Sequence, residues 1–190
     1  MSTPSFVIFL NGSYGVGKSS TLDHVGDLLA ETGRAFSLMD VDWFHRSWPP
    51  GTDDPENVLI EADNMAAVWK NYLRTGPRQL VVAGVIASNS DRQRYERVFT
   101  LPVRSIRLVA STPVVEARIR RRYSEHQSRA LTWHLERHGE LTQRLALTDL
   151  DELVINTDDL NPRSVAEEVI NHFGLLALGA SKPDSVGPTV

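Results

Sequence analysis

The stretch Gly12-Ser13-Tyr14-Gly15-Val16-Gly17-Lys18-Ser19 decides the fold, because it matches the pattern G-x-x-x-x-G-K-[ST] at every fixed position. Before it, residues 6–10 form an uninterrupted apolar run that predicts a buried strand. After it, leucine and valine recur at helical spacing over residues 22–29 and predict a helix. An ordinary glycine-rich turn is the alternative, but strand, loop and helix in this order favour a phosphate-binding loop.

Residues 12–20 therefore carry the first functional prediction. Glycines allow successive backbone N–H groups to turn inward around a polyphosphate, and the following helix directs its positive end at the same anion. Lys18 is long enough to reach the outer phosphates, and the Ser19 hydroxyl is placed to hold Mg²⁺. The predicted nucleotide contacts in this loop are Gly12, Ser13, Tyr14, Gly15, Val16, Gly17, Lys18, Ser19 and Ser20.

Composition narrows the possible classes of protein. The chain has 190 residues, a formal net charge of −4 and no cysteine. This length is typical of one domain, and the charge gives no sign of a nucleic-acid or membrane partner. Without cysteine there is no disulfide, thiolate metal site or cysteine nucleophile. No stretch has the pattern of a signal sequence or a membrane span, so we expect a cytoplasmic protein.

Strand and helix signals alternate along the chain. Apolar runs predict strands near residues 5–10, 35–39, 79–85, 103–110 and 153–155. Helical spacing and capping residues predict helices over 18–31, 57–74, 90–99, 112–123, 131–147 and 162–173, with Ser90, Thr112 and Asn161 at the starts of the third, fourth and sixth. Because helical crossovers join parallel strands, we predict a doubly wound parallel α/β sheet. It would form one domain over residues 1–180, with a disordered tail over 181–190.

Two carboxylates, Asp40 and Asp42, follow the second predicted strand. Open α/β sheets bind their ligands at the carboxyl ends of the strands, so both side chains are candidate site residues. The third strand ends in Val82-Ala83-Gly84-Val85 and lacks the usual Walker B aspartate, which makes Asp40 the substitute partner for Mg²⁺. The alternative is that both acids only cap the end of a strand.

In these features the chain resembles the small P-loop kinases, among them shikimate, gluconate, adenylylsulfate and nucleoside monophosphate kinases and chloramphenicol phosphotransferase. The phosphate loop near the N-terminus, Asp40-Val41-Asp42, Gly84 and an arginine-rich segment over residues 118–129 carry the resemblance. It implies a three-layer fold with helices on both faces of a five-stranded parallel sheet in the order 2-3-1-4-5. It also implies ATP and Mg²⁺ as cofactors and an arginine-bearing lid over about residues 118–135.

The resemblance assigns roles around the phosphate. Ser19 and Asp40 would hold Mg²⁺, and Asp42 would accept or orient the proton of the acceptor hydroxyl. Lys18 would stabilise the transferring phosphoryl group together with a lid arginine.

The arginine-rich segment and the end of the fifth strand would complete the nucleotide site. By resemblance, Arg118 packs near the adenine and Arg122 near the phosphates, although Arg129 is an alternative for the second role. Thr157 and Pro162 lie where this family packs the adenine. The alternative for the arginines is a solvated basic helix face.

The acceptor site is less well specified. Trp43, His45, Arg46 and Trp48 suit a hydrophobic or ring-bearing alcohol better than a highly anionic one, unless the aromatic side chains only pack their loop onto the core. The segment after the third strand lacks the D-G-x-P-R stretch of nucleoside monophosphate kinases, which argues against a mononucleotide acceptor. The predicted substrate contacts are Asp42, Arg46 and Gly84.

His134 and His138 stand four residues apart on a predicted helix, a spacing that can bind zinc. Leu135 occupies the position where zinc proteases carry glutamate, so we expect lid or surface histidines instead.

These observations favour an ATP-dependent kinase that phosphorylates a hydroxyl of a small molecule, a metabolite or an antibiotic, as a monomer or homodimer. The catalytic residues would be Lys18, Asp42 and Arg122. A nucleotide-binding regulatory NTPase that acts on a protein partner is one alternative, and a nucleoside or nucleotide kinase is another. The regulatory class usually needs an acid and a glutamine to position the attacking water, and the third strand supplies no acid.

Overall fold

The computed structural model describes residues 5–121 and 128–175, with only the backbone at 128–130. The strands are β1 (Val7–Asn11), β2 (Phe36–Asp40), β3 (Gln79–Ala83), β4 (Val103–Val109) and β5 (Leu153–Asn156). The helices are α1 (Lys18–Glu31), α2 (Val58–Leu73), α3 (Asn89–Phe99), α4 (Thr112–Arg120), α5 (Ser128–Ala146) and α6 (Pro162–His172). The predicted tail over 181–190 lies outside the described residues.

All five strands are parallel and form one sheet in the order β2-β3-β1-β4-β5. The predicted fold class and strand order are therefore confirmed. β1 and β3 are buried at every position, as expected for central strands that are covered on both faces.

The core has one layer on each face of the sheet. On one face, α1, α4 and α6 pack against β1 and β4 through residues such as Val25, Ile119 and Val169. On the other face, α2 and α3 contribute Met65 and Tyr95 and further apolar side chains. This three-layer arrangement leaves the carboxyl ends of the strands exposed at one edge, where the loops that follow β1, β2 and β3 meet.

The capping residues of α3 and α4 differ from prediction, and α5 begins at Ser128, three residues before its predicted start. Ser88, not Ser90, caps α3, because its hydroxyl accepts the Asp91 backbone N–H at 3.2 Å. Thr112 is the first residue of α4 and Ser111 precedes it as the N-cap. Asn161 caps α6 as predicted, accepting the N–H of Ser164 at 2.9 Å. Helix α4 ends at Arg120, before the predicted end at 123.

An ion pair joins β4 to the segment before β5. Arg104 donates to both carboxylate oxygens of Glu152, at 2.8 and 2.6 Å, and His172 lies 3.1 Å from the same carboxylate. Hydrogen bonding by Arg104 is the largest influence on the pKa of Glu152 and lowers it to about 2. The ion pair therefore stabilises the edge of the sheet, where β5 pairs with β4 through only four residues.

Within the described part of the chain, no helix is both long and apolar enough to cross a membrane.

Candidate active site

The phosphate loop has a backbone that its glycines make possible. Gly12 and Gly17 have φ values of 146° and 105°, which side chains rarely tolerate. A Cβ on Gly12 would stand 2.6 Å from the Leu108 carbonyl oxygen, so this glycine allows the loop to lie against β4. A Cβ on Gly17 would meet nothing within 4 Å, which leaves open space at the start of α1. The Lys18 ammonium lies over the loop and donates to the carbonyls of Gly12 and Ser13 at 2.8 and 2.9 Å.

The first carboxylate after β2 contacts the loop directly. The Ser19 hydroxyl donates to Asp40 Oδ2 at 2.6 Å. The other oxygen, Oδ1, accepts the backbone N–H of Asp42 at 3.1 Å and caps a 3-10 turn, Val41–Trp43. Asp40 therefore caps the turn that follows the strand, as the alternative interpretation expects, and it also contacts Ser19. Its role towards Mg²⁺ stays a prediction. The turn leaves Asp42 exposed beside this pair.

A cavity of about 280 Å³ lies beside the loop, on the side of α4 and α6. Its lining includes Val16 and Ser20 of the phosphate loop together with Arg118, Thr157 and Pro162. Arg118 donates to the Thr157 carbonyl and hydroxyl oxygens at 2.7 and 2.9 Å, and the Thr157 hydroxyl donates to the Val16 carbonyl at 3.0 Å. The structure therefore brings together the residues that the resemblance assigned to the adenine.

The loop after β2 carries the predicted acceptor residues. Trp43 and Trp48 are 71% and 90% exposed, so the alternative that these aromatic side chains only pack onto the core does not hold for either. Phe44 does pack against the core. The Arg46 guanidinium lies over the Trp43 ring, 4.6 Å from its centroid. The side chain of His45 points instead to a buried carboxylate, with Nδ1 3.3 Å from Oε2 of Glu61.

The packing around Gly84 leaves no room for a side chain. A Cβ at this position would stand 2.6 Å from Val41 Cγ2 and 2.9 Å from Phe9 Cζ. The absence of a side chain lets the turn that carries Asp42 settle onto β1 and β3. Its predicted contact with substrate stays a prediction.

Comparison with solved structures identifies the fold. The tunicamycin resistance protein of Deinococcus radiodurans matches with a TM-score of 0.61 at 20% identity, over 90% of this chain and 97% of that one. A sugar kinase from Janibacter matches with a TM-score of 0.57 at 19% identity, over 90% and 96% of the two chains. An APS kinase from Mycobacterium tuberculosis, in complex with AMPPNP and APS, matches with a TM-score of 0.56 at 18% identity, over 92% and 99%.

The chain has the P-loop kinase fold. No protein-family model and no curated protein sequence matches it. At identities of 18–20% these matches show a shared fold and assign no role to individual residues. The description of the site therefore depends on the distances and contacts given above.

Sequence reasoning missed the residue that anchors the start of the phosphate loop. Asn11 is fully buried, and its amide N–H groups donate to the carbonyl of Ile86 and to Asp151 Oδ1, both at 3.0 Å. Its amide oxygen accepts the backbone N–H groups of Gly12 and Ile86 at 2.9 and 3.0 Å. An asparagine at the end of an apolar run was the available signal, because a polar side chain inside a sheet needs partners.

The expectation for the two histidines is wrong for His138, which is only 5% exposed and lies against the phosphate loop. Its Nδ1 is 3.1 Å from the Tyr14 carbonyl, and its own carbonyl accepts the Ser13 hydroxyl at 3.0 Å. Burial lowers the pKa of His138, and the nearby Lys18 charge acts in the same direction. A neutral ring must carry its proton on Nδ1 here, because a carbonyl oxygen can only accept.

Two predicted lid residues fall outside this geometry. Arg122 lies outside the described residues, and Arg129 is described by its backbone only. Which of them contacts the phosphates stays a prediction.

Proposed function

We propose that the protein is an ATP-dependent phosphotransferase that moves the γ-phosphate of ATP to a hydroxyl group of a small molecule, a metabolite or an antibiotic. One observation carries the proposal. The hydroxyl at the end of the phosphate loop and the carboxylate at the end of β2 are 2.6 Å apart, with a second carboxylate two residues further on. Phosphoryl transfer to an alcohol needs this combination of a phosphate cradle, oxygen ligands for a metal and a proton acceptor.

In this proposal the phosphates and the base of the nucleotide bind on different sides of the phosphate loop. The backbone N–H groups at the start of α1 hold the phosphates, and the open space above Gly17 leaves room for them. The base enters the cavity beside Arg118 and Thr157, where a guanidinium held in place by two hydrogen bonds offers a flat surface for stacking. In this proposal Arg118 contacts the base and not the phosphates.

The Ser19 and Asp40 side chains fit Mg²⁺, because both present oxygen atoms and both lie next to the cradle. When bound, the metal neutralises charge that develops on the phosphates. The two side chains already lie within hydrogen-bond distance, so little rearrangement is needed for them to share a ligand.

The transfer step uses Asp42, Lys18 and the lid. The Asp42 carboxylate accepts the proton of the acceptor hydroxyl while the hydroxyl oxygen forms a bond to the γ-phosphorus. The bond from that phosphorus to the bridging oxygen breaks, and its electron pair leaves with ADP. Lys18 stabilises the charge on the phosphates, and we propose that Arg122 closes over the same charge from the lid.

The test is phosphoryl transfer by purified full-length protein, measured as ADP release with MgATP and a panel of small alcohols. We expect Asp42→Asn to lower acceptor-dependent turnover by about 10²–10⁴-fold, the range for loss of a general base, and to leave ATP affinity nearly unchanged. Lys18→Ala should lower turnover by orders of magnitude. Asp53→Asn changes an exposed carboxylate of the same surface loop and should be without effect.

Full activity in Asp42→Asn would remove that residue from the mechanism. If no alcohol stimulates ADP release and only a protein partner does, the kinase proposal is refuted and the regulatory NTPase is favoured.

A further inference from the structure

Helix α2 carries three polar side chains on one side of its first two turns. Asn57 is the N-cap, and Glu61 and Asn64 follow at spacings of four and three residues, which places the three on one face. We call these residues the polar face of α2. Glu61 is only 7% exposed, and burial of a carboxylate is costly unless donors surround it. The mechanism proposed above leaves this buried acid without a role.

The two asparagines hold the backbone of the loop after β2, just beyond Asp42. The Asn64 amide donates to the Phe44 carbonyl at 2.9 Å. The Asn57 amide donates to the His45 carbonyl, also at 2.9 Å. These anchors lie two and three residues beyond Asp42. Three residues of chain span at most about 11 Å, so a shift at either anchor is passed on to the Asp42 backbone.

Glu61 holds the same loop through a side chain. Its Oε2 lies 3.3 Å from Nδ1 of His45. Its Oε1 accepts the Tyr95 hydroxyl at 2.9 Å and lies 3.8 Å from a nitrogen of the Arg94 guanidinium. Burial raises the pKa of Tyr95 and the Glu61 charge raises it further, so the phenol keeps the proton that it donates. The buried carboxylate thus connects the loop after β2 to α3.

The Asp42 backbone is therefore held from both directions. On its N-terminal side, the Asp42 N–H donates to Asp40 Oδ1 at 3.1 Å, and the other oxygen of that carboxylate accepts the Ser19 hydroxyl. On its C-terminal side, the Phe44 N–H closes the turn on the Val41 carbonyl at 2.9 Å. The Asp42 side chain is exposed, so the direction in which it points depends on this backbone.

We infer that the polar face of α2 positions Asp42 for the transfer step, and that Glu61 is the central positioning residue. The inference rests on the proposed function and assigns a role in it to residues outside the catalytic set. A misplacement of about 1 Å can cost about 10²-fold in rate, so loosening the loop should lower kcat. Nucleotide binding should be unaffected, because the polar face holds the loop after β2 and not the phosphate loop.

The first experiment breaks the contact between Glu61 and His45 from each side, in full-length protein with MgATP. Glycerol, benzyl alcohol and glycolate are the acceptor probes. Glu61→Leu and His45→Leu should each lower kcat for alcohol-dependent ADP release about 10–100-fold, with the KM for ATP within about twofold. The double variant should be no slower than the slower single variant, because both substitutions remove the same contact. If His45 contacted the acceptor directly, its own variant alone would raise the KM for the acceptor.

Two further variants serve as rescue and control. Glu61→Gln keeps an acceptor oxygen for Tyr95, and its amide can donate to His45 Nδ1 when the imidazole carries its proton on Nε2. It should therefore recover most of the kcat that Glu61→Leu loses. Asp63→Leu removes an exposed acid from the same helix and should keep the parent kcat.

Amide hydrogen exchange gives a second readout that needs no acceptor. In Glu61→Leu, exchange over residues 41–47 should become at least about tenfold faster, while residues 12–20 keep the parent rate. Asp63→Leu should change neither segment. A role in stability alone predicts a different pattern, because global unfolding would speed exchange in every protected segment.

The outcomes separate the two proposals. Unchanged exchange over residues 41–47 in Glu61→Leu overturns the inference and leaves the kinase proposal standing. A kcat within about twofold of the parent value in that variant, or losses that multiply in the double variant, does the same. If the parent protein binds ATP and no alcohol stimulates ADP release, the proposed function is refuted and the inference with it.

Discussion

Replacement of Asn11 by leucine should destabilise the protein strongly, although the two side chains have similar shapes. Asn11 makes four hydrogen bonds in a fully buried position, to Gly12, to both backbone groups of Ile86 and to Asp151. In Asn11→Leu each of these partners loses a bond that water cannot replace, at a cost of about 1–3 kcal/mol for a buried unsatisfied group.

The costs do not add fully, because the loop can shift and leucine gains apolar contacts. We therefore expect the free energy of unfolding to fall by about 3–5 kcal/mol. For a chain of this size that corresponds to a melting temperature lower by roughly 6–20 °C. Nucleotide affinity should fall as well, because the Gly12 N–H is fixed by the Asn11 oxygen.

Urea unfolding at neutral pH measures the effect, with Asn71→Leu on the exposed surface of α2 as the matched control. The control should stay within about 0.5 kcal/mol of the parent protein. Asn11→Asp adds a second test, since it keeps the acceptor oxygen but places a carboxylate next to Asp151. The loss in free energy of unfolding should become smaller as the pH falls, because protonation relieves the repulsion between the two carboxylates. A loss below about 1 kcal/mol in Asn11→Leu, with native ATP affinity, would refute the reasoning.

Three further predictions follow from single contacts. Glu152→Gln should lower the free energy of unfolding at pH 7 by about 1–2 kcal/mol, allowing for solvent screening of a side chain that is one-third exposed. Because folding depresses this pKa from 4.5 to about 2, the stabilisation is complete above pH 4.5 and is lost as the pH falls towards 2, so the variant and parent should converge in acid unfolding. Ser88→Ala should cost about 1 kcal/mol in urea unfolding while Ser90→Ala costs less, and equal losses would contradict the cap assignment. Gly84→Ala forces a Cβ to within 2.6 Å of Val41 Cγ2 and should raise the KM for the acceptor more than the KM for ATP.

The sequence predicts the fold well because its signals are local. The phosphate loop, the apolar runs and helix starts such as Asn161 each depend on neighbours within a few residues. The sequence also predicts that Asp40 lies at the same edge of the sheet as the phosphate loop, since parallel strands bring their carboxyl ends to one edge. The structure places Asp40 against Ser19 at that edge.

Side-chain partners that are distant in sequence could not be predicted. Ser88 and Ser90 are chemically equivalent as helix caps, and only the path of the backbone shows that Ser88 is the residue that caps α3. The sequence does not predict the burial of His138, because a helical pattern does not reveal which neighbour covers a given face. Trp43 and Trp48 were ambiguous for the same reason, since exposure depends on where their loop lies.

The phosphate loop shows why a motif specifies less of a site than it suggests. Its glycines permit the backbone conformation, but the hydrogen bonds that hold the loop (the tethers) come from residues far along the chain. Asn11 is bonded to Ile86, Ser13 to His138 and Val16 to Thr157, at sequence separations of 75, 125 and 141 residues. These tethers come from the segment after β3, from α5 and from the end of β5, so the loop closes only when the whole sheet edge has formed. A substitution in any of those elements can therefore change nucleotide affinity without touching the nucleotide.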